Sequence, residues 1–571
     1  MSTSKHIDRI CLAVCLLSLL LTGLFMNGRA LGLTPIADGD AGDGQFTAND
    51  RNADWDRSGA AQITLTGDGG SVKGGGAYIS GGDVHILYAG TYILSGELVD
   101  GSVIIEADRS DKIWVLLNGV SLHCNDNAAI LVEQAEKVFL TLADGTENSV
   151  SSGAEYNPDA VSTGIDGAIY SRDDLTINGG GSLCVTAEYR HAIVCNDDLA
   201  ITGGILEITA PQDGIHANDS ARFAEAAITI NAGDDGITVS NDDESAYIYV
   251  ESGSISIPSC YEGIEAVNIT IAGGTLDIRP TDDGINANGR GENSKIHISG
   301  GGITIINETG RDADGLDSNG SIEISGGNLF ISVNGTGSNS AIDYGSENGG
   351  TCTISGGTVI AAGSSAMAEG LDPSSEQCFI MYAVSTAPAG TTVTLKNAAG
   401  RVLLSEAIPC SFSSVVISTP ELQMGETCTI SVGGTEDEIV VDNSTSGGFG
   451  VAGMFGGGMQ HGGMFDGRGG GRGDRPFDSQ PDGGGTDAEG VPPETPDGAP
   501  VLGGGPGMQN GMGGGSRGDD GRFTQWGQNR DGPQDAAASG TPAVPPAALA
   551  LVGVSILSLL AGIGIALKIK H

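Results

Sequence analysis

The sequence predicts an all-β fold, a solenoid of stacked parallel strands, and three observations predict it. First, an acidic residue followed by Gly and an aliphatic residue recurs between Asp166 and Asp372: Asp213-Gly214-Ile215, Asp235-Gly236-Ile237, Glu262-Gly263-Ile264, Asp283-Gly284-Ile285, Asp314-Gly315-Leu316 and Glu369-Gly370-Leu371. Degenerate copies stand at Gly167-Ala168-Ile169, His191-Ala192-Ile193 and Ser340-Ala341-Ile342. Second, aligned on the aliphatic residue, the copies are 21 to 31 residues apart, a solenoid period. Third, the intervals hold short alternating runs broken by Gly-Gly, as in Ile201-Thr-Gly-Gly-Ile205 and Ile271-Ala-Gly-Gly-Thr275, and nothing with helical periodicity.

Alternation sets the faces. In Gly274-Thr275-Leu276-Asp277-Ile278, Leu276 and Ile278 point inward and Asp277 outward. Stacking such coils places Ile on Ile inside and acid on acid outside. Leucine-rich repeats have a similar period but need a Leu-x-x-Leu-x-Leu frame with Asn, which is missing. Variable coil length with Gly-marked corners fits a parallel β-helix.

Taken in order, residues 1–30 read as a secretory signal, with an apolar run from Ile10 to Met26 after Lys5 and Arg9 and small residues Gly28 and Ala30 for cleavage. Residues 31–60 read as a polar linker. Within it Asp50-x-Asn52-x-Asp54-x-Asp56 imitates a calcium loop, but Trp55 and Ala61 stand where that loop needs Gly and Glu, so a solvated acidic turn is expected. Residues 61–160 hold β runs such as Lys112-Ile-Trp-Val-Leu-Leu, read as first coils and a cap, with a loop from Ser151 to Thr163. Residues 161–375 are the parallel repeats, and 376–443 keep β patterning without the repeat, as a small cap. Residues 444–546, rich in Gly, Met, Asp and Pro, read as a disordered tether. Residues 547–567 have the length and apolarity of a transmembrane helix, with Lys568 to His571 as a cytoplasmic tail. The expected location is therefore the outer surface of the cell membrane.

Asp and Glu outnumber Lys and Arg by 72 to 26, a net charge of −46, which excludes nucleic acid as a partner and favours cations. Gly totals 95 residues without a Gly-X-Y period, which excludes collagen. Cys195 and Cys352 align with inward positions and Cys184 with an outward one, so they read as single substitutions within columns; a pair among Cys378, Cys410 and Cys428 stays open.

The aligned coils place acids in rows. Before Gly-Ile stand Asp213, Asp235, Glu262, Asp283 and Asp314; after the aliphatic residue stand His216, Thr238, Glu265, Asn286, Asp317 and Asp343. Coils stack about 4.8 Å apart, so the like charges repel and a hard cation with oxygen ligands relieves them. Asp234, Asp235, Glu262 and Glu265 form one expected Ca2+ cluster, and Asp282, Asp283, Asp312, Asp314 and Asp317 a second. The plainer reading of each acid is a corner, with Asp bonding its own backbone and Gly at positive φ. His191 and His216 fall on outward rows with no second His at ligand spacing, and read as exposed loop residues.

Val115-Leu-Leu-Asn-Gly-Val, Leu140-Thr-Leu-Ala-Asp-Gly-Thr-Glu-Asn, Ala168-Ile-Tyr-Ser and Asp174-Leu-Thr-Ile-Asn-Gly-Gly-Gly-Ser-Leu, with the Asp-Gly-Ile coils, resemble a bacterial secreted family of carbohydrate-binding proteins. The resemblance spans roughly residues 45 to 440. It implies a right-handed, pectate-lyase-like parallel β-helix that binds calcium and has affinity for polygalacturonate and cellulose.

The expected function is calcium-dependent binding of an acidic plant or cell-wall polysaccharide, without catalysis. Carbohydrate contacts are weakly indicated at Tyr189, Tyr261 and Arg279. The first alternative is a calcium-dependent pectate-type lyase, for which Arg279 is the least unsuitable base. The second is a structural surface spacer or adhesin.

Overall fold

The computed structural model describes residues 44–447, apart from 242–244, 291–292, 310–312, 338, 367, 370 and 444. The expected signal, tether and apolar run 547–567 lie outside the described residues. Among those described, no helix is long and apolar enough to cross a membrane.

The described chain is all-β, a parallel-strand solenoid with three faces per coil. One coil shows the plan: Asp174–Gly179 lies on a first face, Ser182–Ala187 on a second and His191–Cys195 on a third. They are called here the strap face, the long face and the acid face. Each strand pairs in parallel with its equivalent one coil on, and the registers align the inward columns. On the acid face Ile130, Ile169, Ile193, Ile215, Ile237, Ile264, Ile285 and Leu316 are successive partners. All are buried, as are Leu206, Ile228, Ile255, Leu276 and Ile303 in the long-face column. Burying each such side chain contributes about 1.5–3 kcal/mol, and the repeat sums it along the axis.

Two glycine words have two physical causes. In the Gly-Gly corners the second glycine takes positive φ: +91° at Gly204, +81° at Gly274, +84° at Gly301, +85° at Gly327 and +88° at Gly357. The Asp-Gly glycines do not, contrary to the corner reading. A Cβ at Gly263 would lie 2.2 Å from the Gly284 carbonyl oxygen and 2.5 Å from Ile278 Cγ2. Gly214, Gly236, Gly284 and Gly315 are crowded in the same way, by the next coil's carbonyl and an Ile from the long face. Here glycine is required by the closeness of two coils and the core.

Both ends carry antiparallel strands. Ala61–Gly67 pairs with Gly70–Lys73, and Ala77–Ser80 with Asp83–Ile86, ahead of the regular coils. After the last coil, Phe412–Ser418 pairs antiparallel with both Thr358–Gly363 and Phe379–Ala387. A four-stranded sheet from Thr391 to Val440 packs there around a second core that includes Val393, Leu395, Phe412 and Ile430.

The described part of the expected linker is not a solvated turn. Residues 45–57 form a strap across the outside of the strap face. Asp50 is wholly buried, with Lys137 Nζ 2.9 Å away and the Thr176 hydroxyl donating at 2.6 Å. Burial alone would raise the Asp50 pKa, but Lys137, Thr176 and Thr47 outweigh it and hold the carboxyl low. Trp55 Nε1 donates to Thr141 at 3.1 Å beside the stacked rings of Trp114 and Phe139, and Arg51 reaches Glu251 at 2.6 Å. Of the acids that imitate a calcium loop, Asp50 thus serves a buried ion pair, while Asp54 and Asp56 are exposed as expected of a solvated turn.

The loop expected from Ser151 to Thr163 contains a one-turn helix, Pro158–Ser162. Asn157 caps it, accepting from the Asp159 and Ala160 amides at 3.1 and 2.9 Å, and Pro158 follows at the first helical position. Tyr156, Ala160 and Ile165 cover Leu131, Tyr170 and Val194 on the outside of the acid face.

The strap and the glycines each yield a test. Lys137→Met leaves the Asp50 carboxylate buried without its cation, and should lower stability by about 3–5 kcal/mol. Limited proteolysis should then cut within residues 44–60; an unchanged melting temperature and no cleavage would reject the strap. Gly263→Ala should lower stability by about 1–3 kcal/mol by overpacking, read as a drop in thermal midpoint.

Candidate functional site

The outward column of the acid face changes character along the axis. Ile104, Leu131, Tyr170 and Val194 are successive register partners and lie under the 153–166 loop. The column continues as His216, Thr238, Glu265, Asn286 and Asp317. From His216 onward it is polar.

Beside that column the acids before each glycine form a row tied to the backbone. The Gly214, Gly236, Gly263 and Gly284 amides donate to the carbonyls of Asp235, Glu262, Asp283 and Asp314. Side chains follow the same step: Asp213 accepts from the Asp235 amide at 3.2 Å, Asp235 from Glu262 at 3.3 Å and Asp283 from Asp314 at 2.7 Å. Asp314 accepts in turn from the Ser340 amide. Asp213, Asp235, Asp283 and Asp314 therefore each satisfy a main-chain donor of the next coil, and Glu262 takes the Asn286 side chain, which explains the residue type before any ligand is considered.

One amide apiece does not neutralise the row. Burial raises the Asp235 pKa to about 8, helped by the charges of Asp213, Glu265 and Asp234. Burial and Glu265 push Glu262 to about 9. Burial is also the first cause at Asp283, Asp314 and Asp317, with Asp343 adding to each, and these rise to about 7, 8 and 6. Asp213 is the exception. Burial would raise it too, but His191 and His216 bond it and hold it well below the carboxylate range.

The structure brings together part of each expected cluster. Asp314 and Asp317 converge with Asp343, each offering an oxygen within 4.8 Å of the others, and Asp283 shares a hydrogen bond with Asp317. Asp282 is partly exposed and engages Tyr261, while Asp312 lies outside the described residues. In the first cluster Asp234 is exposed, and the two glutamates hold amides: Asn286 Nδ2 donates to Glu262 at 2.9 Å and Asn288 Nδ2 to Glu265 at 2.7 Å.

The histidine reading needs correction. His191 is buried, and His216 lies 4.8 Å from it, ring centre to ring centre. Both place Nδ1 near the same Asp213 oxygen, at 3.1 and 2.7 Å, and the Asp213 amide also donates to His191 Nδ1 at 3.2 Å. The usable signal was His191 in the column of the acids, one coil before Asp213.

Among the carbohydrate candidates, Tyr189 packs on Tyr156 at 4.5 Å and is half-buried. Tyr261 is exposed beside Asp282. Arg279 lies on the long face, its Nε 3.1 Å from Asp277. The sequence reading missed a groove of about 500 Å³ on the long face, lined in part by Ser121, Glu147, Ser149, Cys184, Ile205 and Glu207. The described cysteines are all free, with Cys195 and Cys352 buried and Cys184 exposed.

A closed core behind one long row of outward carboxylates and hydroxyls defines a class: a repeat scaffold built to present a linear polar surface to an extended ligand. Residues 80–337 and 248–376 match the family described as carbohydrate-binding domain-containing protein, together a little over half of the chain. The chain belongs to that family.

A carbohydrate-binding domain-containing protein of Acetivibrio thermocellus is 35% identical over 136 residues, 24% of this chain and 48% of its own length. The chain thus spans about half the length of that curated relative. A solved structure described as the polysaccharide lyase-like protein from C. thermocellum, gadolinium derivative, is 27% identical and aligns over 45% of this chain and 93% of its own, with a TM-score of 0.37.

The raised carboxyls make a pH prediction with a definite sign. Acids with raised folded-state pKa stabilise fully below about pH 4, and that contribution is lost as pH climbs through about 6 to 9. Asp213, held low, acts oppositely, and its contribution is lost only as pH falls. Chelator-treated protein should therefore lose thermal stability between pH 5 and 9, and a divalent cation should restore it most at the alkaline end. A flat profile without cation would contradict the buried row.

Proposed function

We propose that this chain binds an acidic polysaccharide such as polygalacturonate through calcium held on the acid face, without cleaving it. The observation that carries the reading is the convergence of Asp314, Asp317 and Asp343, with Asp283 adjacent, where burial and mutual repulsion disfavour the ionised carboxylates and a bound cation would relieve them. The donor set suits a hard cation: all oxygen, with room for further ligands. Calcium there would neutralise the row and present open coordination positions to uronate carboxylates that the bare protein repels. The family membership supports carbohydrate as the ligand class. The long-face groove, with its hydroxyls and exposed Ile205, offers a surface for uncharged sugars such as cellulose.

Binding is preferred to the lyase reading because Arg279 is engaged by Asp277 on the long face, leaving the acid row without a basic partner from that residue. Export and anchoring in the cell membrane, on the apolar runs 10–26 and 547–567, complete the proposal and would expose the solenoid to cell-wall or plant polymer.

The test is retention of the full-length protein on polygalacturonate in Ca2+ and in EDTA, with absorbance of unsaturated uronate followed. Retention should require Ca2+, fall at least roughly tenfold in Asp317→Asn, and leave the absorbance flat. Rising absorbance would replace the binder with a lyase. Equal retention in both buffers, or none in either, would remove calcium-mediated recognition.

A further inference from the structure

We infer that His191, Asp213 and His216 form a second metal site, distinct from the all-oxygen row, that takes a borderline divalent ion of the zinc type. The two imidazoles come from successive coils. His191 occupies the acid column one coil before Asp213, and His216 the outward column beside it. Their donor atoms and an Asp213 oxygen all lie within 4.8 Å of one another. Each Nδ1 lies 2.7–3.1 Å from that oxygen, close to the spacing of about 3.3 Å between two ligands of a tetrahedral ion with bonds of about 2.0 Å. An ion on His191 Nδ1 would replace the hydrogen bond that this nitrogen accepts from the Asp213 amide.

Three features distinguish the trio from a surface ion pair. His191 and Asp213 are buried, while His216 is partly open, so a bound ion would be held on one side and accessible on the other. Behind His191, the Asp166 carboxylate stands 3.9 Å from Nε2, beyond hydrogen-bond length but on the far side of the ring from Asp213, and is itself anchored by Arg190 at 3.0 Å. Arg190, immediately before His191, has φ of +46°, a strained conformation for a residue with a side chain, and it sets the turn that delivers the ring.

Donor chemistry then divides the acid face. Two nitrogens and one carboxylate suit zinc, nickel, cobalt or ferrous iron and leave coordination positions free, whereas the Asp314 group offers oxygen alone. The inference does not depend on which polysaccharide is bound, or on whether one is.

Chelator-stripped full-length protein titrated with Zn2+ in millimolar Ca2+ should show one saturable site, and Co2+ should give visible d–d absorption. His216→Gln and His191→Gln should each weaken zinc by roughly 100-fold and abolish the cobalt band, while Asp317→Asn changes neither. His216 lies at the open edge and a Gln amide can still donate to Asp213, so its variant should keep the fold with at most a modest loss of stability; should either variant fail to fold, the other decides. Absence of saturable zinc binding, displacement by Ca2+, or affinity unchanged in the folded histidine variants would overturn the site. Loss of polygalacturonate retention with zinc binding intact would count against the calcium reading alone.

Discussion

The parallel hydrogen-bond ladder, which holds successive coils about 4.8 Å apart, is the constraint on which the rest depends. It carries Ile193 onto Ile215 and Ile237 in one unbroken column. The same ladder carries Asp235 towards Glu262 and Asp283 towards Asp314, where nothing apolar separates the charges. It also removes the room for a Cβ at Gly214, Gly236, Gly263, Gly284 and Gly315. The acid-Gly-aliphatic word is thus one physical unit. The acid caps the next coil's amide, the glycine permits the approach and the aliphatic residue fills the core.

Coverage decides which surface is free to act. The 45–57 strap takes the outside of the strap face, through Asp50, Trp55 and Arg51. The 153–166 loop takes the first coils of the acid face, through Tyr156, Ala160 and Ile165. Among the described residues, much of the acid face from His216 onward stays open, as does the groove on the long face. The outward residues change from apolar to polar where the loop ends, so the boundary between scaffold and candidate site is written in one column of side chains.

Within the open stretch the environment sorts chemically similar residues. Asp213 stays ionised because two imidazoles bond it, whereas Asp235, one coil on, faces further acids and is pushed up to about 8. Glu262 and Glu265 spend hydrogen bonds on Asn286 and Asn288, while Asp314, Asp317 and Asp343 converge on one another. Position in the row, and not residue type, separates an acid that braces the scaffold from one that can share a cation.

Period and alternation survive without knowledge of contacts, so the all-β solenoid, its inward columns and the rows of acids are legible in the chain alone. They also mark Cys195 and Cys352 as inward. The burial of Asp50 against Lys137 emerges in the folded chain and nowhere earlier, since the two are far apart in sequence and the local acid spacing suggests a solvated turn. The fold alone decided that the Asp-Gly glycines answer to crowding, because the clashing atoms belong to the next coil and another face. The pairing of His191 with His216 was hidden for the same reason. Spacing along one chain does not show which column each ring occupies, and the coil stack brings them to one oxygen of Asp213.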